Sequence, residues 1–198
     1  MAALIPAPPP RAFTHTRDHL EYQGEQLVIH EWRPTKSSER EAAVVCFHGY
    51  GSHACYPTLR YASELLAENN VVFSLDLRGH GESPGPRGLI RSSSDLTEMG
   101  VAMARWVRAK EPKRKLVLLG VSMGGAICLN VCRKVPEHVA SAILVAPMLG
   151  ISPENLPPAW QQSALRGLAC VVPGAAVLGA NASDPSATPA RRGNPRYR

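Results

Sequence analysis

The chain has 198 residues, of which 44% are apolar and 19% are charged, and its formal net charge at pH 7 is +6. This length and composition are typical of one folded domain with a sizeable core and argue against an intrinsically disordered chain. No apolar run approaches the roughly 20 residues that a membrane-spanning helix needs, so the sequence does not predict an integral membrane protein.

The positive charge is concentrated near the carboxyl end. From Asn155 onward there are five arginines and one aspartate, and four of these arginines fall in the last eight residues. Because no recognisable nucleic-acid-binding module accompanies them, we predict no nucleic-acid partner. Contact with an anionic lipid surface suits this arrangement better.

Residues 1–18 are predicted to form a flexible, proline-rich leader. Prolines occupy the place where a secretory signal peptide needs an apolar stretch, so secretion is not indicated. We expect a cytoplasmic or peripheral membrane location. An organelle signal is the alternative, because the opening MAALIPAPPPRAFTH carries an arginine and no acid.

The five cysteines give little sign of a disulfide framework, since their number is odd and none is spaced as Cys-x-x-Cys. Cys46 falls in a predicted buried strand, and Cys128 and Cys132 share one face of a predicted helix. We therefore predict free thiols in a reducing compartment, with no metal site.

Residues 19–147 are predicted to form an α/β core. Glu21-Tyr22, a glycine-containing turn and Gln26–Trp32 predict a β-hairpin. Four short unbroken apolar runs, typical of strands buried on both faces, follow: AAVVCFHG, VVFSLDLRG, KLVLLGV and VASAILVAP. Helical spacing of apolar residues is found between these runs. The alternation predicts a mostly parallel sheet with helices on both faces and the hairpin at its amino-terminal side.

Residues 148–198 differ in composition from the core. They are rich in Pro, Gly and Ala, carry few charges and contain no further buried-strand run. One or two short amphipathic helices are predicted between Leu156 and Val172, and loop structure from Gly174 onward. We interpret this segment as a cap or lid that is disordered in part.

The motif Gly120-Val121-Ser122-Met123-Gly124 follows one buried run and precedes a helix, which is the pattern of a nucleophile elbow. Gly120 and Gly124 lack side chains that would keep the strand and the helix apart. The turn would raise the serine hydroxyl above the sheet at a helix amino terminus, where N–H groups stabilise negative charge. A plain glycine-rich turn with a capping serine is the alternative.

A second motif, CFHGYGSH, follows an earlier buried run. Acyl transfer to serine needs two N–H donors directed at the developing oxyanion. We predict the backbone N–H of Met123 as one donor and that of Tyr50 as the other. His48 and Gly49 are expected to support this loop, with His48 as a brace; the alternative is that His48 is a catalytic base.

A third motif, LDLRGHGESPGP, is dense in glycine and proline. Asp76 and His80 form a candidate catalytic dyad. The preferred interpretation is structural, with Arg78, His80 and Ser83 holding a tight loop in shape.

These segments, in this order and with LVAPML after them, resemble the α/β-hydrolase family and, within it, the monoacylglycerol lipase-like branch of the serine aminopeptidase S33 type. The resemblance covers roughly Tyr22 to Pro147. It implies an α/β-hydrolase fold and a serine hydrolase acting on carboxylic esters such as monoacylglycerols or lysolipids, without a cofactor. It assigns Ser122 as the nucleophile, Tyr50 and Met123 as the oxyanion donors, and the cap as an apolar acyl tunnel. Peripheral contact of the cap with a membrane surface is a separate expectation.

The acid and the histidine that would activate Ser122 are harder to place in this sequence. In this fold the chain order is Ser, then an acid, then His. After Ser122 the chain has one histidine, His138, which follows Glu137 and is expected on the opposite side of the sheet; the other acids are Glu154 and Asp184. We therefore expect an incomplete fold whose last strands, with the triad acid and histidine, are missing.

Two alternatives to an ester hydrolase of lipids remain open. The first is a catalytically inactive fragment that binds lipid or acts as a scaffold. The second is an esterase or peptidase of the same fold that acts on aromatic or peptide substrates, since the elbow motif is common to all of them.

Overall fold

The structure is a computed structural model that describes residues 12–36, 42–150, 156 and 158–171. In chain order its strands and helices are β1 (Phe13–Tyr22), β2 (Glu25–Pro34), β3 (Ala43–Phe47), α1 (Pro57–Leu66), β4 (Val71–Leu75), α2 (Ser93–Lys110), β5 (Leu116–Val121), α3 (Met123–Lys134), β6 (Ser141–Val145) and α4 (Ala159–Val171), with a 3-10 turn at Pro136–His138.

The strands form one mixed sheet in the order β1-β2-β4-β3-β5-β6. β1 and β2 pair antiparallel, as do β2 and β4, whereas β3, β4, β5 and β6 are mutually parallel. Helix α1 packs on one face, and α2 and α3 pack on the other. The predicted α/β-hydrolase architecture, with a hairpin ahead of a parallel sheet, is confirmed.

The first strand is longer than the sequence indicated. β1 begins at Phe13, inside the segment that was predicted to be leader, and pairs with β2 along its whole length. The residues from Thr14 to Arg17 are polar and exposed, so they carry no apolar signal of a strand. A two-residue turn closes the hairpin, with Gln23 and Gly24 both at positive φ, as a type I′ turn requires.

Two apolar layers stabilise the sheet. The larger lies under α2 and α3 and includes Phe47, Phe73 and Met103, all fully buried. The smaller lies under α1 and is built around Trp32 and Leu59. Burial of a large side chain contributes about 1.5–3 kcal/mol, so these layers fix the carboxyl ends of β3, β4 and β5 with respect to one another.

The β6 side of the sheet is the exposed side. Within the described part of the chain, β6 pairs only with β5, and Ile143 and Val145 are 49% and 47% exposed. In the predicted cap segment the structure shows one helix, α4; most of residues 151–198 lie outside the described residues. No helix among the residues that are described has the length and apolar character needed to cross a membrane.

Candidate active site

Ser122 occupies the sharp turn between β5 and α3. Its backbone has φ 52° and ψ −113°, a conformation that residues with a side chain rarely adopt. Such a conformation costs about 1–3 kcal/mol and persists only where neighbouring groups enforce it. Here the Ser122 N–H donates to the carbonyl of Val145, and its carbonyl accepts from the N–H groups of Gly125 and Met148, each at 2.9 Å.

The two glycines of the motif are required by close packing. A Cβ at position 120 would lie 2.3 Å from the carbonyl oxygen of Gly124, and a Cβ at position 124 would lie 2.1 Å from that of Phe47. Both distances are far below van der Waals contact. The turn therefore passes directly against the carboxyl end of β3.

The loop after β3 lies beside the serine. A Cβ at Gly49 would be 3.4 Å from the Cβ of Ser122. The next residue, Tyr50, is 57% exposed and its ring forms a T-shaped contact with that of His80, whereas Met123 is buried. Among the described residues, no acceptor receives a hydrogen bond from the backbone N–H of Tyr50 or Met123. Both N–H groups are therefore free to bind a negatively charged oxygen.

His48 connects the loops that follow β3 and β4. Its ring is buried; Nε2 accepts from the Leu77 N–H at 3.1 Å, so Nδ1 carries the proton and donates to the Gly49 carbonyl at 2.8 Å. Burial lowers the pKa of His48 to about 4. Because both ring nitrogens are engaged, His48 has no free lone pair with which to accept a proton from Ser122.

Asp76 is not paired with His80. Its carboxylate accepts from the N–H groups of Ala54 at 2.7 Å and Glu82 at 2.8 Å, and lies 3.4 Å from Nε2 of His30. Burial raises the pKa of Asp76, but these hydrogen bonds outweigh it and the net shift is downward. His80 instead donates from Nδ1 to the carbonyl of Arg78 at 3.0 Å. The candidate dyad is therefore wrong.

The remaining polar residues of this loop have structural partners. Arg78 is buried, forms ion pairs with Glu25 and Asp95, and lies over the ring of Tyr22. Ser83 donates to the backbone carbonyl at the end of β4 and accepts from a backbone N–H of β2. The predicted structural role of the loop is confirmed.

His138 lies at the opposite end of the strands from the serine. It precedes β6, whose first residue pairs with Val117, whereas Ser122 follows the last residue of β5. Its nearest carboxylate is that of Glu137, 3.7 Å away. The predicted position of His138 is confirmed, and Glu154 and Asp184 lie outside the described residues. No described residue hydrogen-bonds the Ser122 hydroxyl.

A cluster of two histidines and a cysteine at the hairpin was not predicted from the sequence. Nε2 of His15 lies 3.1 Å from Nδ1 of His30, and Sγ of Cys55 lies 3.3 Å from the same nitrogen. The hairpin register brings the two strand positions together, and it could have been derived from a two-residue turn at Gln23-Gly24. Nothing in the sequence pattern places Cys55 there.

The sheet order, the strained serine and the adjacent N–H groups together define an α/β-hydrolase. A family model described as "Serine aminopeptidase, S33" (Hydrolase_4) matches residues 38–194, and the chain belongs to this family.

Two of the relatives found among curated proteins are named as lipases. The monoglyceride lipase of Rattus norvegicus is 30% identical over 132 residues, which are 67% of this chain and 43% of the relative. The monoacylglycerol lipase of Mycolicibacterium smegmatis is 31% identical over 137 residues, which are 66% of this chain and 47% of the relative. The chain thus spans about half the length of the curated relatives it matches.

Solved structures agree on the fold. Est1E from Butyrivibrio proteoclasticus, with ferulic acid bound, aligns with a TM-score of 0.62 and covers 71% of this chain and 62% of that chain. Its sequence identity is 18%, so this likeness concerns the fold alone.

Proposed function

We propose that the chain carries the nucleophile and oxyanion hole of a serine hydrolase that cleaves carboxylic esters of lipids, with monoacylglycerols or lysolipids as the substrate class. The observation that carries the proposal is the strained Ser122 turn, flanked by two free N–H groups. The monoglyceride and monoacylglycerol lipase relatives support the choice of substrate class.

The reaction follows from this geometry. Oγ of Ser122 attacks the ester carbonyl while a base takes its proton, and the new oxyanion accepts hydrogen bonds from the N–H groups of Tyr50 and Met123. The tetrahedral intermediate expels the alcohol, which takes the proton from the base. Water then hydrolyses the acyl-enzyme by the same steps, releasing the fatty acid and restoring the serine.

The base must come from elsewhere. All seven histidines of the chain lie in the described residues, and none of them hydrogen-bonds the Ser122 hydroxyl. His48 is occupied on both nitrogens, and His138 lies at the opposite end of the strands from Ser122. We propose that a histidine and an orienting carboxylate outside these 198 residues complete the triad, and that this chain alone turns over esters slowly.

Labelling with a fluorophosphonate probe, with and without added imidazole, tests both parts of the proposal. We expect slow labelling that imidazole accelerates in a concentration-dependent way, because free imidazole replaces the absent base. Ser122→Ala is the control and should remain unlabelled under both conditions. Rapid labelling without imidazole would show that the chain contains its own base.

Competition separates the substrate classes. A long-chain monoacylglycerol should slow the imidazole-stimulated labelling, whereas a feruloyl ester and an aminoacyl amide at the same concentration should not. Protection by the aromatic ester or the amide alone would favour an esterase or peptidase. A chain that binds monoacylglycerol but is never labelled would be an inactive lipid-binding form, and the hydrolase proposal would fail.

A further inference from the structure

The missed cluster joins three separate parts of the chain. His15 lies on β1, His30 on β2, and Cys55 in the loop between β3 and α1. One ligand atom from each side chain can be chosen so that all three lie within 4.8 Å of one another. Such convergence of two imidazoles and a thiol is a typical donor set for a borderline transition metal.

Two of the three distances between donor atoms are close to those of a tetrahedral zinc site. With Zn–N bonds of about 2.0–2.1 Å and Zn–S bonds of about 2.3 Å, neighbouring ligands lie roughly 3.3 Å apart for two nitrogens and 3.5 Å for nitrogen and sulfur. The corresponding distances here are 3.1 Å from His15 to His30 and 3.3 Å from His30 to Cys55. The donor atoms of His15 and Cys55 lie within 4.8 Å, and the rings of His15 and His30 are stacked, so metal binding requires the exposed His15 ring to turn toward the ion.

A second observation concerns the far side of the His30 ring. His30 is fully buried, and its Nε2 lies 3.4 Å from the carboxylate of Asp76. Histidines that bind metal ordinarily donate their other ring N–H to a carboxylate, which fixes the ring orientation and makes the ligand more basic. Asp76 is itself held by two backbone N–H groups, so this support is preorganised.

We propose that His15, His30 and Cys55 form a binding site for Zn²⁺ or a similar divalent transition metal, with Asp76 orienting His30. The three ligands leave a fourth position, which water can fill because His15 is exposed and Cys55 is partly exposed. The proposal departs from the sequence expectation of no metal site because the ligands come from segments far apart in the chain.

Metal binding would release protons from the cluster. The metal takes the place of protons on the Cys55 thiol and on Nδ1 of His30, and both protons go to solvent.

The charges near the cluster are largely balanced. Two guanidinium groups, those of Arg17 and Arg60, lie close enough to His15 to oppose a cation. Each is ion-paired, Arg17 with Glu82 at 2.7 Å and Arg60 with Glu64 at 2.8 Å. The Asp76 carboxylate behind His30 then supplies a local negative charge.

Bound metal would cross-link the hairpin to the loop that leads from Tyr50 to α1. This loop has its own tie to the same cluster, because the Ala54 N–H donates to Asp76. The site does not depend on the proposed hydrolase function, and the variant Ser122→Ala should bind metal as the wild type does. Failure of one proposal is therefore distinguishable from failure of the other.

Titration of the full chain with Co²⁺ under a non-thiol reductant tests the site. We expect one equivalent of Co²⁺ to produce a thiolate-to-cobalt charge-transfer band in the near ultraviolet, and Zn²⁺ to displace it and raise the Tm. Cys55→Ser should abolish the band. His15→Gln should weaken the affinity for metal by at least about tenfold.

Matched controls keep the test specific. Cys132→Ser removes a thiol on α3, and His19→Gln removes an exposed histidine from the same face of β1; both should bind Co²⁺ as the wild type does. His15 is itself exposed, so its replacement is not expected to unfold the chain. A charge-transfer band that is absent from the wild type, or that persists in Cys55→Ser, would overturn the proposal, as would equal affinities for the wild type and His15→Gln.

Discussion

At the scale of single residues, the turn at Ser122 is a site of backbone strain. A serine at φ 52° stores backbone strain that a glycine would not. The serine immediately precedes α3, and the N–H of Met123, in the first turn of that helix, has no acceptor among the described residues.

Relief of the strain at position 122 should change the free energy of unfolding. Ser122→Gly should be more stable than Ser122→Ala by about 1 kcal/mol, because glycine adopts positive φ freely and this gain exceeds its larger loss of chain entropy on folding. Neither variant should react with a fluorophosphonate. Urea denaturation of the two variants measures the difference, and an alanine variant at least as stable as the glycine variant would show that the turn is not strained.

At the scale of elements, His48 joins the loops after β3 and β4, which carry Tyr50 and the structural motif around Arg78. Three titratable groups lie around its ring. They are His80, whose ring centroid is 5.1 Å from that of His48, and, at longer range, Asp76 and His53. Burial outweighs the favourable effect of Asp76, so the ring stays neutral in the folded state. The position of the loop that carries Tyr50 therefore depends on an uncharged histidine.

This burial predicts a loss of stability in acid. The pKa of His48 is about 6.5 in the unfolded chain and about 4 in the folded one. Between these two values the unfolded state binds a proton that the folded state does not, so the free energy of unfolding falls as the pH falls. The change amounts to roughly 3 kcal/mol by pH 4 and levels off below it.

The free energy of unfolding at pH 7 and pH 4.5 measures this effect for the wild type and for His48→Gln. The decrease between the two pH values should be smaller in the variant by roughly 2 kcal/mol, since glutamine does not titrate. His19→Gln, which removes an exposed histidine, should keep the wild-type decrease. An unchanged decrease in His48→Gln would mean that the buried ring takes up its proton without cost.

Sequence patterns predicted the elements of this core well, including the hairpin, but not where the first strand of the hairpin begins. Buried strands such as Val71–Leu75 are continuous apolar runs, and a run of this kind is recognisable without any partner. The outer strand Phe13–Tyr22 is stabilised by its pairing with β2, and most of its residues are polar and exposed. Its start could not be seen from local composition, because the stabilising contacts come from another strand.

At the scale of the whole molecule, the two ends of the sheet differ. On the hairpin side, the exposed residues of β1 are mostly polar, and two of them form ion pairs, Arg17 with Glu82 and Asp18 with Lys110. On the β6 side, Ile143 and Val145 are about half exposed, and Val145 is paired with Val121, which is only partly buried. Exposed apolar side chains on an edge strand promote association with other chains.

Self-association through β6 is therefore expected at high concentration. Ile143→Lys should decrease the fraction of aggregated protein in light scattering, because it replaces an exposed apolar side chain with a charge on the same face. Ser141→Lys adds the same charge to the same face of β6 without removing apolar surface, and should have a smaller effect. Equal effects of the two variants would indicate charge repulsion rather than loss of apolar contact.

The candidate site, like the fold, could be predicted from the sequence only in part. The spacing Gly120-x-Ser122-x-Gly124 already predicts the turn, because only residues without side chains fit where a strand and a helix pass so closely. The partners of Asp76 and His48 could not be predicted from spacing. They belong to loops that follow different strands, and the sheet order decides which loops meet.

By itself the sequence determined the α/β architecture and the location of the serine turn, because apolar periodicity and glycine sterics act over a few neighbouring residues. Only the tertiary structure decided that Asp76 supports His30 rather than His80, and that His15, His30 and Cys55 converge. These contacts join β1, β2 and two loops, and their distances depend on strand register and on which strands are neighbours. Neither the register nor the order of the strands can be predicted from local composition.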